Sequence, residues 1–89
     1  MKETKLRISN QLGLHARAAA KFVNTAKSFS CDVELGTSQK MIDGKSIMGV
    51  MLLAATEGTE LNLVTRGADE AQAAEAIRDL VDAKFGESE

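Results

Sequence analysis

The sequence predicts an α+β domain: an open-faced β-sandwich in which a four-stranded, antiparallel-type sheet, ordered 1-4-2-3, is covered on one face by three helices. Three observations lead there. Apolar residues switch along the chain between a period of two and a period of three to four, in the order β-α-β-β-α-β-α. The first strand, helix and second strand make a crossover, so strands one and two run parallel and the fourth fits between them as an antiparallel partner. All three helices must then share one face, because only that covering buries every apolar stripe. At 89 residues the chain has material for a single domain with one modest core.

The elements follow in order. Thr4 to Ile8 alternates, with Leu6 and Ile8 apolar and Lys5 and Arg7 charged, as a half-buried strand does. Ser9-Asn10-Gln11-Leu12-Gly13 is polar and ends in glycine, so it reads as a loop. From Ala16 to Phe29 the period turns helical, with Ala19, Phe22, Val23, Ala26 and Phe29 on one stripe and Arg17, Lys21 and Lys27 off it. His15 then stands at or beside the N-cap. Cys31, Val33 and Leu35 alternate with Asp32 and Glu34 as a second strand, and Gly36-Thr37-Ser38 turns into a short third one, Gln39 to Ile42.

Ser46 is a good N-cap for a short second helix, with Ile47, Val50, Met51 and Ala54 on its apolar face and Gly49 weakening it. Glu57-Gly58 makes a turn, and Leu61 and Leu63 alternate with Glu60 and Asn62 in a fourth strand ending near Arg66. A last helix starts around Gly67-Ala68-Asp69, its buried stripe being Ala74, Ile77, Val81 and Phe85, with Asp69 and Glu70 at its positive end. Gly86-Glu87-Ser88-Glu89 is expected to fray.

Composition excludes several functions. Aromatic residues are 3%, with no Trp or Tyr, which removes the stacking platforms that single-stranded nucleic acids use. A net charge of -2 gives no electrostatic case for DNA or RNA. One Cys, Cys31, cannot form an internal disulfide, and with one His it cannot build a Cys/His metal site. Cys31 reads as a small core residue. No signal peptide or membrane span is legible, so no membrane insertion and a cytoplasmic location are expected. The charge is unevenly spread: Lys2, Lys5, Arg7, Arg17, Lys21 and Lys27 face only Glu3 in the first 27 residues. A basic patch around His15 would attract a phosphate or an acidic partner; the plainer reading is solubilising surface charge.

The chemistry concentrates in Gly13-Leu14-His15-Ala16-Arg17, which holds the only histidine. A neutral imidazole nitrogen is a good nucleophile near neutral pH. The positive end of a helix opposes a second positive charge beside it, and its free N–H groups receive an anion. Ala16 and Arg17 would offer backbone donors, and the Arg17 guanidinium would add charge-assisted hydrogen bonds to phosphate oxygens. One site would favour both the attacking ring and the phosphorylated product. The plainer role is a histidine that caps the helix. Ser46 is a second candidate: a phosphate there would meet another positive helix end, although the serine is sufficiently explained as a cap. Ile47 and Met51 fit the core, whereas Met48 points elsewhere and suits an adaptable contact surface. A His15, Asp43, Ser46 triad has no supporting pattern, and no Gly-rich phosphate loop exists.

Gly13-Leu14-His15-Ala16-Arg17, Ala20-Lys21-Phe22-Val23 and Lys45-Ser46-Ile47-Met48-Gly49-Val50-Met51 together resemble the HPr family, the histidine-containing phosphocarriers of the bacterial phosphotransferase system. The resemblance runs from about Thr4 to Phe85. It implies that His15 is phosphorylated at Nδ1, accepting from enzyme I, which phosphoenolpyruvate charges, and passing the group to a IIA protein or domain. Arg17 would stabilise the phosphate, and Ser46 would be the regulatory site of HPr kinase/phosphorylase. Ala20, Ile47, Met48 and Met51 would lie on the surface that docks partners. The chain would be a monomer and a substrate of other enzymes, not a catalyst turning over alone. It would need no cofactor, any Mg²⁺ belonging to the enzyme I step.

Two departures stand out. The family motif continues His-Ala-Arg-Pro, and this chain has Ala18 at the proline position. Asn10-Gln11-Leu12-Gly13 and Met51-Leu52-Leu53 resemble the nitrogen-regulatory branch, while Lys45 to Met51 resembles the sugar branch. The alternatives are a regulatory binding module of the same fold, acting through partner docking, and a plain α/β interaction domain with a capping histidine.

Overall fold

Alternation lays β1 (Lys2–Arg7) along one edge of the sheet, and a computed structural model describes residues 1–87. The order is β1, α1 (Ala16–Lys27), β2 (Asp32–Thr37), β3 (Lys40–Asp43), α2 (Ile47–Leu52), β4 (Glu60–Arg66) and α3 (Glu70–Asp82). The strands lie in the order β1-β4-β2-β3, and every neighbouring pair is antiparallel, as expected. β4 occupies the gap left by the crossover: Leu6 stands opposite Leu61, and Leu35 opposite Leu63 on one side and Ile42 on the other.

That register puts Leu6, Val33, Leu35, Leu61 and Leu63 on one face, where they are buried under Ala19, Phe22, Val23 and Ala26 of α1 and Ala74, Ile77 and Val81 of α3. Phe22 and Ile77 are wholly enclosed. The opposite face, with Glu3, Lys5, Glu34, Asn62 and Arg66, stays open. Among the described residues no helix is long and apolar enough to cross a membrane.

Several expectations are corrected. Strand β1 begins at Lys2 and stops at Arg7; Ile8 leaves the ladder but stays buried, trading backbone bonds with the 58–59 turn (Ile8 N–H to Thr59 O, 2.9 Å; Gly58 N–H to Ile8 O, 2.7 Å). Helix α1 ends at Lys27, two residues early, and Phe29 is only half-buried. Gly36 and Thr37 lie in β2, and the turn falls at Ser38-Gln39. On α2 only Val50 is buried. Ile47 and Met51, expected in the core, are 42% and 40% exposed. A six-residue helix lying on the edge of the layer can submerge only one residue per turn and a half.

Asp69 does not cap α3 with its side chain. Its carboxylate instead accepts from Ser30 N–H and Cys31 N–H, both at 2.9 Å, and ties the α1–β2 connection to the start of α3. Those donors, Ser30's N–H foremost, hold its carboxyl below the ordinary range. Cys31 is buried as expected; burial, then the Asp69 carboxylate, pushes its thiol up. The segment after α3 differs most. Phe85 is buried, but beyond the helix, and Gly86 and Glu87 are held rather than frayed. Ser88 and Glu89 lie outside the described residues.

Candidate functional site

The loop that leads into α1 is fastened before it reaches the helix. Gly13 adopts φ +66°, and a Cβ there would stand 2.3 Å from the carbonyl oxygen of Ala55. Only glycine fits, and it lets Leu14 N–H reach that same carbonyl at 2.9 Å. Asn10, completely buried, braces the loop from within: its Nδ2 donates to Gly13 O at 2.8 Å. The loop therefore delivers His15 to a fixed place.

His15 takes extended backbone angles (φ −74°, ψ 178°) at the N-cap position of α1, and its side chain makes no capping bond. Its carbonyl accepts from Ala19 N–H at 2.8 Å. The N–H groups of Ala16, Arg17 and Ala18, in the first turn, find no acceptor among the described residues. The histidine thus occupies the cap position without doing a cap's work. No acidic residue lies in that first turn to compensate its positive end.

The ring turns instead to a residue far along the chain. His15 Nε2 contacts Oε2 of Glu87, and Glu87 Oε1 accepts from Asn10 Nδ2 at 3.0 Å. The Asn10 bond and then the His15 bond hold the Glu87 carboxyl below the ordinary range, with the charge of Arg17 adding to the effect. Asn10 Nδ2 faces two acceptors, Gly13 O and the carboxylate, so the orientation of its amide is determined by its neighbours. No other described residue bonds to the His15 ring, which leaves Nδ1 without a partner among them.

Arg17 is exposed on the first turn, Ala16 beside it is exposed, and Ala20 one turn on is half-buried. Ala18 is completely buried. The expected basic patch is only partly assembled. Lys21 comes to the site but spends its ammonium on Phe85 O at 2.7 Å. Lys2 and Lys5 line a groove between β1 and α3 with Glu75 and Arg78, because β1 carries them along the sheet.

Ser46 stands apart from this cluster. It is half-buried at the N-cap of α2, and its Oγ accepts from Gly49 N–H at 3.2 Å. Asp43 accepts from Lys45 N–H, so the imagined triad with His15 does not form. Met48 is 66% exposed, as expected, and Ile47, Met51 and Leu52 are exposed with it. Glu87 and Asn10 went unforeseen as site residues. Asn10 left a faint signal, a polar residue in a loop that turns out to need an internal brace; Glu87, in a polar tail without period, left none.

Residues 2–83 match the family model described as PTS HPr component phosphorylation site. The phosphocarrier protein HPr of Neisseria meningitidis serogroup A is 48% identical over 89 residues, all of both chains. A solved structure of HPr-C-His from Thermoanaerobacter tengcongensis superposes with a TM-score of 0.95 at 44% identity, covering 100% of each chain. A second from that organism, described as an HPr dimer, gives 0.78 at 45% identity over 98% of this chain and 100% of that one. The match spans both the loop that delivers His15 and the helix that follows Ser46, and the fold is the same throughout: the chain belongs to the HPr family of phosphocarriers of the phosphotransferase system.

Proposed function

We infer that this chain carries a phosphoryl group on Nδ1 of His15, taking it from enzyme I, charged by phosphoenolpyruvate, and handing it to IIA proteins or domains. The observation that supports this most is a helix mouth with three unfilled N–H groups behind a ring that does not cap them. In the transfer, the Nδ1 lone pair forms the N–P bond while the bond from phosphorus to the donor breaks, its electron pair leaving with the donor. The phosphoryl oxygens then meet the amides of Ala16 and Arg17, and the Arg17 guanidinium supplies charge-assisted bonds. No cofactor of the chain's own enters that sequence. It works in the cytoplasm and as a monomer, with His15 and Ser46 reachable by its partners.

Ser46 has a regulatory reading. It directly precedes the exposed Ile47, Met48 and Met51. A phosphate placed there by HPr kinase/phosphorylase would set up to about two negative charges beside the apolar surface used for docking, together with Ala20.

Incubation with enzyme I and labelled phosphoenolpyruvate tests the carrier reading. The expected label is acid-labile, alkali-stable and lost in His15→Ala; a wild type that takes none overturns it. Acid-stable label on Ser46 alone, with kinase and ATP, would instead favour a docking module regulated at that serine. Ser46→Asp is expected to slow uptake from enzyme I, and an unchanged rate removes the regulatory role. Sedimentation of the unphosphorylated protein should show the mass of one chain.

A further inference from the structure

After α3 the chain makes an unusual reversal. Lys84, Phe85 and Gly86 take φ of 57°, 55° and 79°, three left-handed residues in succession, two of them not glycine. Left-handed backbone is unfavourable for residues with a Cβ and persists where the surroundings over-determine it. Here they do. The Phe85 ring is completely buried, its carbonyl accepts from Lys21 of α1 at 2.7 Å, and Glu87 N–H returns to Lys84 O at 2.9 Å. The turn aims one carboxylate back across the mouth of α1. That carboxylate is gripped at one oxygen by a completely buried amide, Asn10, and meets the ring of His15 with the other. The Glu87 and His15 side chains are only 14% and 27% exposed.

We propose that Glu87 is a positioning residue for phosphoryl transfer at His15: its carboxylate, braced by Asn10, holds the ring proton on Nε2, leaves Nδ1 as the nucleophile, and balances the positive charge the ring acquires when Nδ1 takes the phosphoryl group. This rests on the carrier reading above. An ionised carboxylate can only accept, so the ring nitrogen facing it carries the proton. The groups that face the carboxylate are His15, Asn10 and Arg17; none is a competing anion.

The atoms balance without any proton changing place. A neutral ring with its proton on Nε2 attacks through Nδ1, and the product ring bears phosphate on Nδ1 and the same proton on Nε2, now as a cation beside an anion. When the group departs, the N–P electron pair returns to Nδ1 and the neutral ring is restored. Without the carboxylate, the charged ring would face only the positive helix end and Arg17.

Glu87→Gln keeps the shape and removes the charge. In wild type, ¹⁵N-labelled protein should show a low-field ring proton on Nε2 of His15, slow to exchange; in Glu87→Gln it should move upfield and exchange faster. The equilibrium of phosphoryl exchange with enzyme I should shift toward the donor by about tenfold, the scale of one weakened charge-assisted bond. Glu87→Asp, which retains the charge on a shorter stem, should recover part of the shift. A Glu87→Gln protein with wild-type exchange equilibrium overturns the proposal, as does a wild-type ring that carries its proton on Nδ1. A wild type that takes no label at all overturns the carrier reading, while the ring proton still reports whether Glu87 holds Nε2.

Discussion

Two helix mouths in this small domain look alike in sequence and behave in opposite ways. Each has a polar residue directly before a helix: His15 before Ala16, and Ser46 before Ile47. Ser46 turns its hydroxyl inward and fills one of its helix's own donors, Gly49 N–H. His15 makes no such bond, and its ring is drawn off by Glu87. A cap consumes the amides it satisfies. A helix end can receive an anion only where the residue in the cap position is kept from capping, and at α1 a second residue does the keeping. Physics alone does not favour histidine as a cap, but only the location of the ring separates a site from a terminus.

The comparison breaks first at the two residues themselves. His15→Ala should abolish phosphoryl uptake and, with no capping bond to lose, should lower the denaturant midpoint only by the lost contact to Glu87. A large fall in the midpoint would mean the ring was structural after all. Phe85→Ala should cost about 3–5 kcal/mol, because it empties a fully enclosed aromatic site. It should also release Glu87, so uptake by the folded fraction falls with stability; chemical denaturation and single-turnover labelling measure the two separately. Ser46→Ala should cost about 1 kcal/mol, the usual worth of a lost N-cap, read as a lower urea midpoint at constant slope. Equal stability losses in His15→Ala and Ser46→Ala would erase the distinction.

A finer test uses Ala18, third in the first turn of α1. Its N–H has no helical partner, so Ala18→Pro should stabilise by about 0.4–1 kcal/mol through the unfolded chain, seen as a higher melting temperature. A loss instead would show that the enclosed wall around Ala18 has no room for the ring. The mildest probe is acid. Asp69 and Glu87 titrate lower in the folded chain than in the unfolded one. The folded form therefore binds fewer protons in that range, so their contribution is complete above ordinary carboxylate values and is lost as pH falls through the folded ones. Urea midpoints measured from about pH 7 down to about pH 3 should fall for wild type and fall less for Asp69→Asn.

Most of the architecture was legible because alternation and helical period are carried by residues that also build the core. Leu6, Phe22, Leu35, Leu63 and Ile77 each announce a face, and the crossover rule then leaves β4 one place to go. The parts that escaped depend on geometry no period records. Ile47 and Met51 look like core by spacing, yet α2 is too short and too far out to submerge them. Lys2 and Lys5 belong to the same charged stretch as Arg17, but a strand carries them away. His15 and Arg17 were visible as candidates because a lone histidine at a helix start is rare chemistry. Asn10 and Glu87 were not, since what unites them is a chain reversal built on left-handed residues, and Lys84 and Phe85 give no hint of that conformation.

The reversal at Lys84–Gly86 has a consequence for the order in which the molecule is made. His15 and Glu87 are 72 positions apart, so the histidine leaves the ribosome while most of the chain that brackets it is still unwritten. A nascent chain can present the loop and the first helix and yet lack the carboxylate that orients the ring. On the carrier reading, the carboxylate that closes the candidate site follows the histidine by most of the fold, and a molecule that has not finished folding is not yet armed.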